Sequence, residues 1–105
     1  MTADFVGVPP EQLRDSAMLS GLLIAAAGAA GFGSIGLPTV RVRGETVGAI
    51  ILLDGCHVSA HAYAERGLLL FDALAPSQQD AKRALDVFTR RLTAREVRVD
   101  VRTRG

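Results

Sequence analysis

The fold is decided by residues 47–63, which read VGAIILLDGCHVSAHAY. Residues 47–53 form an unbroken apolar run of strand length, which is typical of a buried strand. Asp54-Gly55 is a dipeptide typical of a two-residue hairpin turn. From residue 56 to residue 63 polar and apolar positions largely alternate, as in a strand with one buried face. The stretch therefore predicts two antiparallel strands joined by a tight turn.

Further strands are predicted on both sides of this hairpin. Upstream, Val40 and Val42 alternate with arginines, and Gly44-Glu45 would turn the chain into the apolar run. Downstream, Arg66-Gly67 would turn it into a strand over residues 68–74. A short strand over residues 4–8 and a half-buried last strand over residues 97–101 complete the set. We expect these strands to form a largely antiparallel sheet.

Two helices are predicted between the strands. The first begins near Pro10, because proline favours the first helical turn, and ends at a run of glycines. Those glycines are Gly31, Gly33 and Gly36. The second helix follows Ser77, a favoured N-cap residue with an acid three positions on. The order β-α-β-β-β-β-α-β predicts an α+β two-layer sandwich, with both helices on one face of an antiparallel sheet.

Composition limits the class of protein. With 105 residues, of which 49% are hydrophobic, we expect a single domain over residues 1–105. The formal charge is +1, which favours neither nucleic acid nor an acidic membrane as partner. The longest apolar stretch, residues 21–32, is shorter than the roughly 20 residues that span a bilayer. One cysteine and no charged, apolar leader predict a cytoplasmic protein.

Reactive side chains are concentrated on the strand after the hairpin turn. Period two places His57, Ser59, His61 and Tyr63 on one face, and Glu65 joins them if the strand continues. Both histidines of the chain and its one tyrosine therefore share this face, and the one cysteine begins the strand. We interpret this face as the candidate functional site.

Other interpretations of the segment remain open. Cys56 could be a small buried side chain, and the histidines could lie on a solvated sheet face. A metal site is not predicted, because His57 and His61 are about 13 Å apart along a strand and a third ligand is lacking. Cys56 and His61 could form a nucleophile and base for acyl transfer, but spacing does not show whether they meet.

The segment resembles the short, prokaryotic type of S-adenosylmethionine decarboxylase, a self-processing pyruvoyl enzyme. In that family a Glu-Ser-His step enters a strand, a second histidine follows four residues on, and then come an aromatic, a Pro-Glu pair and a glycine. The matching positions here are Gly55-Cys56-His57, His61, Tyr63, Ala64-Glu65 and Gly67. The resemblance extends over nearly the whole chain and implies the fold of that family.

The resemblance also implies roles for individual residues. Cys56 takes the place of the serine that attacks the preceding carbonyl, here that of Gly55, and becomes the pyruvoyl cofactor at the head of a new chain. His61 matches the histidine that acts in self-processing. Glu65 matches the glutamate that binds the ribose hydroxyls of the substrate, and Tyr63 replaces a tryptophan that stacks on its adenine.

Several positions depart from the family pattern. The glutamate before the processing residue is Gly55, and the first adenine-stacking aromatic is Val42. The catalytic cysteine, which donates a proton late in turnover, falls on Pro76, which has no side-chain proton. In this chain His57 or water would have to protonate the substrate in place of that cysteine. The departures favour a degenerate active site.

The resemblance implies pyruvoyl-dependent decarboxylation of S-adenosylmethionine, a step of polyamine (spermidine) biosynthesis, or of a related, smaller amino acid. The alternative is an unprocessed homologue with a free Cys56 thiol, which binds or regulates a partner or transfers acyl groups. We expect a small-molecule ligand and a homodimer, because the family pairs its sheets and the helices leave one sheet face uncovered. Neither nucleic acid nor a membrane is expected as a partner.

Overall fold

The computed structural model describes residues 1–32 and 36–105. Its strands are β1 (Thr2–Val6), β2 (Thr39–Arg43), β3 (Thr46–Leu53), β4 (Cys56–Tyr63), β5 (Leu68–Leu74) and β6 (Glu96–Asp100). Its helices are α1 (Pro10–Leu13), α2 (Ser16–Ala29) and α3 (Gln78–Arg91), and a 3₁₀ turn spans Ala64–Arg66. None of the helices in these two ranges is long and apolar enough to cross a membrane.

The six strands form one antiparallel sheet in the order β2-β3-β4-β5-β1-β6. The predicted hairpin lies within it, with Leu53 opposite Cys56 across the Asp54-Gly55 turn. Strand β1 lies between β5 and β6, so the first and last strands of the chain are neighbours. The helices contact β3, β4 and β5 and cover one face. The predicted α+β class and antiparallel sheet are confirmed.

The first predicted helix is wrong in one respect, because the chain forms two helices there. Helix α1 ends at Leu13, and α2 begins after Asp15, whose side chain accepts a hydrogen bond from the backbone N–H of Met18 at 2.9 Å. This is an N-cap, which starts a new helix rather than continuing the old one. Helix α2 ends before Gly31, which has a φ of 94°. Gly33, which we expected to take part in that ending, lies outside the described residues.

The first strand also begins earlier than predicted. It spans Thr2–Val6, because each of its residues is paired on both sides, with β5 and with β6. Val8 lies beyond the strand, and its N–H donates to the carbonyl of Gly67 at 2.9 Å. The chain turns at Gly7, because glycine readily adopts the positive φ of 71° found there.

The core lies between the helices and the covered sheet face. Three phenylalanines fill its centre: Phe88 of α3 packs against Phe71 of β5 and Phe5 of β1, with ring centroids 5.1 and 6.5 Å apart. Buried alanines of α2 and β4, among them Ala26 and Ala60, let the helix lie close to the sheet. The side chains on the opposite sheet face are not covered by the helices.

Candidate functional site

The uncovered face of β4 carries the candidate site. Val58, Ala60 and Ala62 are buried under the helices, and the residues between them, His57, Ser59, His61 and Tyr63, lie on the opposite face. This division follows from the two-residue period of a strand, in which neighbouring side chains point to opposite faces. Because β4 lies between β3 and β5, these side chains lie inside the sheet and not at its edge.

Cys56 begins β4 immediately after the hairpin turn. Gly55 occupies the left-handed region with a φ of 72°, and a Cβ placed on it would meet no described atom within 4 Å. Cys56 is half-buried and lies opposite Leu53, which packs against the core. The peptide bond between residues 55 and 56 is therefore at an open turn, while the thiol lies on the covered side of the sheet.

His57 is paired with an acid on the neighbouring strand. Its Nε2 lies 3.3 Å from Oδ2 of Asp72, slightly longer than a typical N–H···O hydrogen bond. The two side chains are 26% and 46% exposed. In register His57 lies between Leu52 of β3 and Leu74 of β5. Among the described residues the polar partner of the imidazole is thus the carboxylate of Asp72, and its neighbours in register are apolar.

Asp72 was not among the residues singled out from the sequence. It is the one acid within the apolar run of β5, and this gave a local signal. What placed it beside His57 is the register of β4 and β5, which pairs Ser59 with Asp72 and His57 with Leu74. That register depends on contacts between separate strands.

His61 lies against the backbone of β3. It is opposite Gly48, and a Cβ placed on Gly48 would lie 3.1 Å from both Cδ2 and Nε2 of the imidazole. That contact is shorter than ordinary van der Waals separation. The ring therefore occupies the space that a side chain at position 48 would need, although His61 remains exposed on its other side.

Tyr63 and Glu65 lie at the far end of β4. Tyr63 is half-buried, and the guanidinium of Arg66 lies 5.9 Å from the centre of its ring, within the range of a cation–π contact. Glu65 is exposed and belongs to the 3₁₀ turn that follows the strand. Gly67, with a φ of 58°, then directs the chain into β5. The alternation that would have placed Glu65 on the strand face stops at Tyr63.

The structure does not bring Cys56 and His61 together within one chain. They are five positions apart on a regular strand, so their side chains lie on opposite faces. Five residues of strand also separate their Cα atoms by about 16 Å. Glu65 lies still farther from Cys56. A nucleophile and base formed by Cys56 and His61 of the same chain would need a different backbone.

A cavity of about 220 Å³ lies at the end of β5. Its lining includes Asp72, Leu74 and Pro76, the start of α3, and residues 101–104. Asp72 thus contacts His57 on one side and lines the cavity on the other. Val42, the position expected to replace an adenine-stacking aromatic, is on edge strand β2 and is 60% exposed.

Charge on the uncovered face lies mainly toward the sheet edges. On β6, Nε of Arg98 donates to the carboxylate of Glu96 at 2.6 Å. This hydrogen bond, and then the positive charge of Arg98, hold the pKa of Glu96 below its ordinary 4.5. In residues 1–32 and 36–105, no three His, Cys, Asp or Glu side chains are grouped as metal ligands.

These features define an α+β protein with helices on one sheet face and its reactive side chains on the other. The chain belongs to the S-adenosylmethionine decarboxylase family, whose model matches residues 1–105. The crystal structure of the adenosylmethionine decarboxylase from Aquifex aeolicus VF5 is similar, with a TM-score of 0.80 and 21% identity. The match covers 99% of this chain and 93% of that one, and at this identity it concerns the fold. A comparison with curated proteins found no match.

Proposed function

We propose that this chain is a pyruvoyl-dependent decarboxylase that makes its own prosthetic group from Cys56. The substrate class is an amino acid, either S-adenosylmethionine or a smaller one. The observation that carries the proposal is the place of Cys56, which follows an open hairpin turn at the position where the family has its processing serine. A cytoplasmic location is part of the proposal.

The residues at the turn fit the formation of this group. A thiol can perform the same attack as a serine hydroxyl, and Gly55 leaves its own carbonyl open to approach because no side chain stands beside it. The pyruvoyl group supplies the electron sink for the loss of carbon dioxide, which no protein side chain provides. A chain without it would have no route to this chemistry.

The proposed processing cleaves the peptide bond between Gly55 and Cys56 and converts residue 56 to the pyruvoyl group. Sγ of Cys56 attacks the carbonyl carbon of Gly55, the peptide C–N bond breaks, and the thiol proton passes to the released amine, which leaves a thioester. Removal of the Cα proton of residue 56 then breaks its Cβ–Sγ bond, and the sulfur stays on Gly55 as a thiocarboxylate. Water hydrolyses the enamine left on residue 56 to a keto group and ammonia.

We assign removal of the Cα proton to His61, in line with its match to the family histidine that acts in processing. Within one chain the two residues are about 16 Å apart along the strand. If two copies pack their uncovered faces with the β4 strands antiparallel, the His61 end of one strand lies over the Cys56 end of the other, on the side of the residue 56 backbone opposite its thiol. A homodimer of this kind also covers the exposed Leu52 and Leu70. We therefore propose that the working form is a homodimer.

Substrate binding is assigned to the other end of β4. Glu65 is exposed and available to accept hydrogen bonds from ribose hydroxyls, and Tyr63 offers an aromatic face that Arg66 already contacts. Val42 is too small to stack on adenine. Each lost aromatic contact weakens binding by about 1 kcal/mol, so S-adenosylmethionine should bind weakly. Calorimetric titration of the parent and Glu65→Ala, against ligands with and without ribose hydroxyls, tests the assignment of Glu65.

Intact mass spectrometry of the purified protein tests the proposed function. We expect fragments 1–55 and 56–105, with a keto group at the start of the second that reacts with a hydrazine. Fragment 1–55 should end in a thiocarboxylate, heavier than the acid by the difference between sulfur and oxygen. A normal acid on fragment 1–55 together with an intact Cys56 would indicate hydrolysis of the thioester and contradict the proposal.

Two variants are the matched controls. Cys56→Ser restores the family nucleophile and should cleave to leave a normal carboxylate, whereas Cys56→Ala should remain whole. If the parent stays uncleaved at 11.1 kDa while Cys56→Ser cleaves, the surrounding groups are competent and the parent is the unprocessed homologue with a free thiol. Sedimentation decides the homodimer: a monomer at micromolar concentration contradicts it.

A further inference from the structure

We infer that Asp72 is a positioning residue that holds His57 so that His57 returns the proton to the substrate α-carbon. This rests on the proposed decarboxylation and names a donor for a step whose family donor is replaced by Pro76. The observation behind it is the contact between Nε2 of His57 and Oδ2 of Asp72, 3.3 Å apart on adjacent strands.

The contact decides which ring nitrogen can react. A carboxylate only accepts, so Nε2 of His57 must carry the proton that it donates to Asp72. This leaves Nδ1 as the nitrogen that exchanges a proton with a substrate. Nδ1 is bonded to the ring carbon next to Cβ, so it is the ring nitrogen nearer to the main chain of β4. Asp72 therefore leaves free for proton transfer the nitrogen that lies nearer to the strand that residue 56 begins.

The neighbours of His57 in register offer it no other hydrogen-bond partner. In register His57 lies between Leu52 and Leu74, which offer no competing hydrogen bond from their side chains. Asp72 also lines the cavity that reaches Pro76, the position of the missing donor. Asp72 thus faces the cavity that holds Pro76, and through Asp72 the His57 ring is joined to that side of the sheet.

The proposed proton transfer from His57 follows the loss of carbon dioxide from the substrate. The bond from the α-carbon to the carboxylate breaks and carbon dioxide leaves. The α-carbon then takes the Nδ1 proton of the imidazolium form of His57, which becomes the neutral Nε2–H imidazole, and Nδ1 takes a new proton from solvent before the next turnover. Asp72 keeps its hydrogen bond to Nε2 throughout and does not itself lose or gain a proton.

The first test needs no substrate. Long-range ¹H–¹⁵N correlation spectra identify which imidazole nitrogen of neutral His57 carries the proton, and we expect Nε2 in the parent. Asp72→Ala should lose this preference, Asp72→Glu, which keeps a carboxylate, should retain it, and Asp72→Asn, whose amide N–H can donate to Nε2, should shift it toward the Nδ1–H form. Asp4→Asn is the matched control. Asp4 is also an acid on the uncovered sheet face, but it lies on β1, opposite Leu70 of β5. If Asp72→Ala keeps the Nε2–H form, the inference is overturned.

The second test uses carbon dioxide release from S-adenosylmethionine by the processed homodimer. Misplacing a reacting group costs up to about 10²-fold, so Asp72→Ala should lower kcat ~10- to 100-fold with KM changed less than ~3-fold. Adding Asp72→Ala to His57→Ala should cause no further loss, since Asp72 acts through His57. An additive loss, or parent kcat in Asp72→Ala, overturns the inference. If fragment 56–105 is absent, the proposed function is contradicted instead. The ¹H–¹⁵N spectra of the first test then still decide whether Asp72 orients His57.

Discussion

Replacing Gly48 by alanine should displace the imidazole of His61 while leaving the stability of the fold nearly unchanged. The added Cβ would lie 3.1 Å from two ring atoms, Cδ2 and Nε2. Strand β3 is held by pairing on both sides, so its backbone cannot move away easily. His61 is exposed, so its ring can rotate toward solvent instead.

The expected change in stability is a small difference of two opposing effects. Removing a glycine from a strand interior stabilises it by roughly 0.5–1 kcal/mol, because the unfolded chain loses freedom. Forcing a side chain off its preferred rotamer costs about 0.5–1.5 kcal/mol. We therefore expect the free energy of unfolding of Gly48→Ala to lie within about 1 kcal/mol of the parent value, measured by urea titration.

The expected change in processing is much larger. If His61 removes the Cα proton, a ring displaced by about 1 Å should slow cleavage ~10- to 100-fold. The assay follows the appearance of fragment 56–105 by mass spectrometry from freshly translated chain. A second readout does not depend on cleavage: the ¹H and ¹³C resonances of the His61 ring should move in Gly48→Ala.

Gly21→Ala is the matched control. Gly21 lies within α2, where a Cβ would meet no described atom within 4 Å, so this change should stabilise by roughly 0.5–1 kcal/mol and leave cleavage as it is. Unshifted His61 resonances together with parent cleavage in Gly48→Ala would refute the reasoning. A loss of several kcal/mol in the free energy of unfolding would show instead that the backbone of β3 was displaced and the His61 ring was not.

The remaining predictions concern stability. Phe88→Ala removes a fully buried ring that packs against both sheet phenylalanines, and should cost about 3–5 kcal/mol in urea unfolding; a loss below 1 kcal/mol would contradict this packing. Ser77→Ala removes the side-chain cap of α3 and should cost about 1 kcal/mol, whereas Ser77→Thr, whose hydroxyl can still accept from the Asp80 N–H and donate to the Asp80 carboxylate, should retain most of it. Because Arg98 lowers the pKa of Glu96, this carboxylate stabilises the fold above its ordinary pKa of 4.5, and the contribution is lost as the pH falls below that value. Glu96→Gln should therefore remove a small, salt-sensitive part of the fall in Tm on acidification, and equal falls in both proteins would argue against the pairing.

Local pattern was enough to predict the elements that carry the site. The turn at Asp54-Gly55 and the alternation from Cys56 to Tyr63 depend on residues close in sequence, and the structure has both. The same period separated the polar face of β4 from the buried alanines. The interruption at Asp15 is also a local signal, since aspartate is a favoured N-cap, although the pattern on either side of it is that of one continuous helix.

The sequence alone determined which side chains share a face of β4, because the pleat of a strand fixes the direction of each side chain from its neighbour. Only the tertiary structure decided what those side chains meet. Asp72 reaches His57, and Gly48 makes room for His61, through the registers of three separate strands. The insertion of β1 between β5 and β6 was likewise not local, since it joins the two ends of the chain. Such pairings arise from the packing of the whole core, so no short stretch of sequence encodes them.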